Sequence, residues 1–68
     1  MNIRMRYRLF KQVGEIIVPD KFDSFKVITV NDELDPNSPE GREEIITQLH
    51  RAIGEPKANV KVLDGTLV

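Results

Sequence analysis

The chain of 68 residues contains no cysteine and no tryptophan, and these absences exclude several kinds of structure. Without cysteine there are no disulfide bonds and no thiolate metal sites. This composition fits a reducing compartment such as the cytosol, where disulfides are rare. A chain of this size buries only about 60% of its unfolded surface, and small chains often gain stability from disulfides, a metal or a second subunit. Oligomerisation is the common reinforcement that remains.

Long apolar runs are also missing. No run approaches the roughly 18 residues that a membrane span needs. The N-terminal arginines are interleaved with apolar residues, unlike the separate basic and apolar regions of a signal peptide. Hydrophobic residues make up 40% of the chain, which is enough for a core. We therefore expect one soluble, cytoplasmic domain over residues 1–68, with no membrane partner.

Residues that commonly carry catalysis are scarce. The only histidine is His50, and the only serines are Ser24 and Ser38, both in predicted loops. A nucleophilic triad needs a histidine beside a nucleophile and an orienting acid. His50 is explained without catalysis, because a basic residue near a helix C-terminus interacts favourably with the helix dipole. The four glycines are isolated, which excludes a phosphate-binding loop. We predict that the protein is not an enzyme and has no cofactor.

The acidic segment 31–37 superficially resembles a calcium-binding loop. Counted from Asn31, its sixth position is Pro36 and its twelfth is Arg42. An EF-hand needs glycine and glutamate at those two positions. The segment is therefore interpreted as a solvated loop, and no metal site is predicted.

The most regular pattern lies in residues 3–9, where apolar and basic side chains alternate. A strand sends successive side chains to opposite faces, so the alternation predicts a strand with one apolar and one basic face. The apolar face comprises Ile3, Met5, Tyr7 and Leu9. The other face, called the arginine face below, comprises Arg4, Arg6, Arg8 and Phe10.

Further strands are predicted on both sides of a single helix. The first strand continues toward Val13 and is interrupted by Gly14, and residues 15–18 form a second. Residues 25–30 form a third, with Phe25 in the core, and apolar groups on both faces predict a central position for it. Residues 60–63 form a fourth, and Asp64-Gly65 predicts a hairpin turn before a very short final strand at 66–68.

The helix is the most completely specified element. Ser38 is a suitable N-cap, Pro39 suits the first helical position and Gly54 suits the position after the last turn. Gly41 costs up to about 1 kcal/mol relative to alanine. The apolar stripe consists of Ile45, Ile46, Leu49, Ala52 and Ile53. The chain is therefore predicted to be a small two-layer α+β domain, with a mostly antiparallel sheet and one amphipathic helix on one face (β-β-β-α-β).

Three functional hypotheses follow. The leading one is a non-enzymatic module that binds a protein partner, or itself as a homodimer, through its sheet. The alternative is a nucleic-acid-binding domain, since alternate arginines on a strand stand roughly 7 Å apart, close to the spacing of phosphates along a strand. The chain's net charge of −1 and its shortage of aromatic residues argue against nucleic-acid binding. A third and weaker hypothesis is an enzyme whose site forms between subunits from His50, Glu43 and loop acids.

Overall fold

In the computed structural model, which describes all 68 residues, one helix packs on one face of a four-stranded antiparallel sheet. This confirms the predicted two-layer α+β architecture. The strands are β1 (Asn2–Val13), β2 (Ile16–Pro19), β3 (Ser24–Thr29) and β4 (Val60–Leu67). The helix is α1 (Pro39–Ile53), and a single turn of 3-10 helix (Lys57–Asn59) leads into β4.

The central strand is β1, and the prediction that the third strand is central was wrong. β1 pairs with every other strand, whereas β3 pairs with β1 alone. The apolar residues on both faces of β3 have different environments: Ile28 is buried under α1, and Val27 is 51% exposed on the arginine face. The apolar residues on the second face of β3 are therefore exposed to solvent, and no second layer covers them.

β2 and β3 follow one another along the same edge of β1. The Asp20 amide donates to the Leu9 carbonyl at 2.8 Å, and the Val30 amide donates to the Met1 carbonyl at 3.0 Å. Both carbonyls belong to odd-numbered residues, which point to the same edge of a regular strand. The last pair between β1 and β2 is Phe10–Pro19, and the first pair between β1 and β3 is Tyr7–Ser24. Three residue steps along β1 therefore correspond to five steps along the segment that runs from β2 into β3. Residues 20–23, which include Asp23, therefore lie opposite two residues of β1 and are called the bulge below.

β4 lies on the other edge of β1 and continues through Asp64 and Gly65, so the predicted hairpin turn and separate final strand were wrong. Instead the register shifts between Arg6 and Tyr7, leaving one extra residue in β4. A Cβ on Gly65 would lie 2.9 Å from the Met5 sulfur. Glycine therefore allows β4 to pass close to the core here without displacing Met5. In the sequence, a glycine used in this way looks the same as a turn signal.

The helix boundaries confirm the predicted caps. The Ser38 hydroxyl accepts a hydrogen bond from the Gly41 amide at 2.9 Å, and Pro39 occupies the first helical position. At the other end Gly54 has φ of 70°, a conformation that favours glycine. Its amide donates to the Arg51 carbonyl at 3.3 Å.

The core lies between α1 and the first half of β1. Leu49 is completely buried at the centre of the helix stripe, Ile46 and Ile53 are partly buried, and Ala52 is exposed. α1 lies closer to β3 than to β4, so the stripe does not cover the sheet evenly. The buried core residues are Ile3, Met5, Tyr7, Ile28, Val30, Ile45 and Leu49.

Candidate protein-interaction surfaces

The arginine face is built by β1 and is partly neutralised by acids from neighbouring segments. Arg8 Nε donates to Asp23 Oδ1 at 2.8 Å, with Asp23 carried by the bulge between β2 and β3. Arg6 Nη2 lies 2.7 Å from Asp64 Oδ2 on β4, and Arg6 Nη1 lies 3.9 Å from Asp23 Oδ2. Two of the three arginines thus have carboxylate partners within the chain, an arrangement typical of a solvated sheet face with acids on adjacent strands.

Arg4 differs from the other two arginines. It has no carboxylate within 4 Å, and its guanidinium carbon lies 4.5 Å from the centre of the Phe25 ring, a cation–π contact. Phe25 is 53% exposed, so the prediction that it belongs to the core was wrong. Its cross-strand partner is Arg6, which places it on the arginine face. Phe10 is half-buried on that face beside Pro19. The role of these residues in binding stays a prediction.

A second surface was not predicted from the sequence. Residues Phe10–Pro19, called the arm below, form a two-stranded ribbon of β1 and β2 with a two-residue turn at Gly14 and Glu15. β2 packs mainly against β1. The arm exposes Val13 (59%), Ile16 (62%), Ile17 (70%) and Val18 (39%). The sequence shows this apolar run, but it does not show that no other element covers it.

The arm carries the sheet well beyond the helix. The molecule measures 42 × 20 × 19 Å. The 12 residues of β1, at roughly 3.4 Å each, span about 40 Å, so the long axis follows β1. Pairing with β4 ends at Leu9–Val60, which leaves the edge of β1 beyond that point without a neighbour. The arm therefore offers two free backbone edges as well as its apolar side chains.

A groove of about 720 Å³ lies between α1 and β4, on the side that the helix leaves open. Ile3 and Met5 form its floor, where Gly65 contributes no side chain. Pro36 and Asn37 of the loop before α1, and Arg42 of α1, also line the groove. Arg42 is exposed and has no carboxylate within 4 Å. The apolar side chains along its two walls are Ile45, Ile46, Val62 and Leu67.

The residues of the weaker enzymatic hypothesis are not brought together. Glu43 forms an ion pair with Lys57, and no hydrogen bond joins it to His50. No group of three or more histidine, aspartate or glutamate side chains is placed to hold a metal ion. The resolved pKa shift also lies elsewhere: the N-terminal ammonium, which donates a hydrogen bond to Asp32, holds the pKa of that carboxyl below its usual value.

α1 is neither long enough nor apolar enough to cross a membrane, and no other helix qualifies. No known protein family matches the chain, and no curated protein or solved structure is significantly similar to it.

Proposed function

We propose that the chain is a non-enzymatic interaction module that associates with itself or with a protein partner through its sheet. The observation that carries this proposal is the arm, whose apolar side chains and backbone edges have no covering element. An isolated two-stranded ribbon is marginally stable in water. Exposed apolar strands with free edges tend to pair with another chain. A partner that covers the arm would remove both sources of instability.

The small core supports the same proposal. Eight of 68 residues are buried, and Leu49 is the one large side chain that is wholly inaccessible. Nine large hydrophobic side chains are well exposed, more than the core contains. A second chain would bury part of this surface, and each Å² of apolar area removed from water contributes about 25 cal/mol before the costs of association.

The mass of the protein in solution, measured by sedimentation equilibrium over a range of concentrations, tests this proposal. We expect the wild-type chain to self-associate and Ile16→Asp to shift it to the monomer, since a charge would enter the apolar surface of the arm. Val27→Asp is the matched control, because Val27 is an exposed β-branched residue in β3. It therefore lies outside the arm, in the part of the molecule called the body below. A wild-type chain that stays monomeric would contradict self-association, and equal effects of the two substitutions would contradict the arm as the contact surface.

One observation favours the nucleic-acid alternative. Arg4 has no carboxylate partner and lies against Phe25, which is an exposed ring on the same face. Arginine and aromatic side chains together can contact phosphates and stack on bases. We rank this function second, because Arg6 and Arg8 already have acidic partners and the net charge is −1.

A further inference from the structure

We infer that the groove between α1 and β4 receives the arm of a second copy of this chain, in a reciprocal exchange between two copies. The inference rests on the proposed function and names the partner and both contact surfaces. It follows from the placement of the arm and groove along β1, from their apolar surfaces and from their unpaired charges.

The arm cannot reach the groove of its own chain. The groove floor is at Ile3 and Met5, near the start of β1, whereas the exposed apolar side chains of the arm extend from the level of Lys11, which pairs with Val18, to Val13 beside the turn. Ten residues of extended strand separate Ile3 from Val13, which is roughly 33 Å along the long axis. Only another molecule can bring an arm to this groove. Two copies with antiparallel β1 axes would place each arm at the groove end of the other.

This arrangement forms a closed assembly. A single arm-to-groove contact joins two different surfaces and by itself would lead to a chain of molecules. When both contacts form between the same two copies, a two-fold axis relates them and no arm is left free. The stoichiometry expected from the inference is therefore a dimer.

The two surfaces have matching polarity. On the arm, Val13, Ile16 and Val18 share the face that continues from the apolar face of β1, because Val13 pairs with Ile16 and Lys11 pairs with Val18. In the groove, the floor and both walls are mainly apolar. The groove, with a volume of about 720 Å³, is open to solvent and so is accessible to a segment of another chain.

The free charges are complementary as well. Glu15 is at the exposed tip of the arm and has no cation within 4 Å, whereas Lys11 already lies 3.9 Å from Asp20. At the groove, Asp64 is paired with Arg6, so Arg42 is the charged residue without a partner. An arm lying in the groove of another copy would bring opposite, unpaired charges together. Such complementarity determines register and discriminates against wrong partners.

A charge exchange tests the inference, with sedimentation equilibrium as the measurement. We expect Glu15→Arg and Arg42→Glu each to weaken dimerisation about tenfold or more, because each creates two like-charge contacts in a homodimer. The doubly substituted chain should recover the wild-type dissociation constant within roughly threefold. Mixing the two single variants should give a heterodimer of similar strength, since both of its contacts then pair opposite charges.

Glu33→Arg is the control, because Glu33 is an exposed, unpaired acid in the loop before α1. This substitution should leave the dissociation constant of the dimer unchanged. Circular dichroism of every variant should match that of the wild type, since Glu15 and Arg42 are exposed. If Ile16→Asp abolishes the dimer while neither charge variant affects it, the arm binds elsewhere: the inference is overturned and the proposed function stands. A wild-type chain that remains monomeric overturns the inference and self-association together.

Discussion

At the scale of single residues, Gly41 occupies a helical position that no side chain fits. A Cβ there would lie 1.7 Å from the Asp35 carbonyl oxygen and 2.9 Å from the Ser38 hydroxyl. Alanine is about 1 kcal/mol better than glycine in an ordinary helix interior. The loop before α1 folds so closely against the first turn that packing outweighs this local preference.

We expect Gly41→Ala to destabilise the protein by about 1–3 kcal/mol, the usual cost of overpacking, although alanine favours the helix. The free energy of unfolding in urea measures this effect. Glu44→Ala, at an exposed position of the same helix, should lose about 0.5 kcal/mol or less with its Glu44–Gln48 contact. A stabilised Gly41→Ala protein would show that the loop can move away from α1.

Leu49 is the residue on which the core depends most. We expect Leu49→Ala to cost about 2–5 kcal/mol, which is the usual range for a buried leucine. Whole domains have only about 5–15 kcal/mol of stability, so this variant should be largely unfolded. Leu67→Ala makes the same substitution at a side chain that is 64% exposed, and its denaturation midpoint should shift much less. Equal shifts would mean that α1 does not cover the sheet in solution.

At the scale of secondary-structure elements, the body and the arm depend on different interactions. In the body, β1 is flanked by β3 and β4 and covered by α1. In the arm, β1 has only β2 beside it, and the turn at Gly14 and Glu15 sets their register. Gly14 has φ of 63°, a conformation in which other L-residues are strained. The arm should therefore open locally more often than the body.

We expect Gly14→Ala to destabilise the arm by roughly 1–2 kcal/mol, the cost of a left-handed conformation for a residue with a Cβ. Amide hydrogen exchange should accelerate at residues 11–18 and remain slow around Leu49. Gly54→Ala is the matched comparison, because Gly54 has φ of 70° and equally open surroundings but ends α1. It should accelerate exchange in α1 instead. Unchanged arm exchange in Gly14→Ala would contradict the assignment of this turn.

At the scale of the whole molecule, the distribution of charge affects how the protein would meet a nucleic acid. The chain has 10 basic residues and 11 acidic residues. On the arginine face, acids from the bulge and from β4 take up the charges of Arg6 and Arg8. The field that this face presents to a nucleic acid is therefore much weaker than three aligned arginines would produce.

We expect the wild-type chain to show no appreciable affinity for single-stranded DNA or RNA at physiological salt. The triple change of Arg4, Arg6 and Arg8 to Gln should leave the fold intact, since the apolar face of β1 is unchanged. Fluorescence anisotropy over a range of salt concentrations measures both proteins. Submicromolar binding by the wild type, with a log–log salt slope that falls by roughly two units in the triple variant, would favour the nucleic-acid function instead.

Patterns in short segments of the sequence were enough to predict most of the fold. The alternation over residues 3–9, the capping residues Ser38 and Gly54, and the stripe centred on Leu49 each depend on neighbours within a few turns or strand steps. They predicted the element types, the helix boundaries and the face of β1 that packs in the core.

Only the tertiary structure decided which surfaces are covered, because burial depends on segments distant in the chain. Ile16, Ile17 and Phe25 are apolar in sequence, yet no helix lies over them. Asp23 and Asp64 neutralise arginines because the bulge and the β4 register bring them there. The groove likewise exists because α1 lies toward β3. Local patterns determined what each segment becomes, and long-range packing determined which of its side chains remain exposed to meet another molecule.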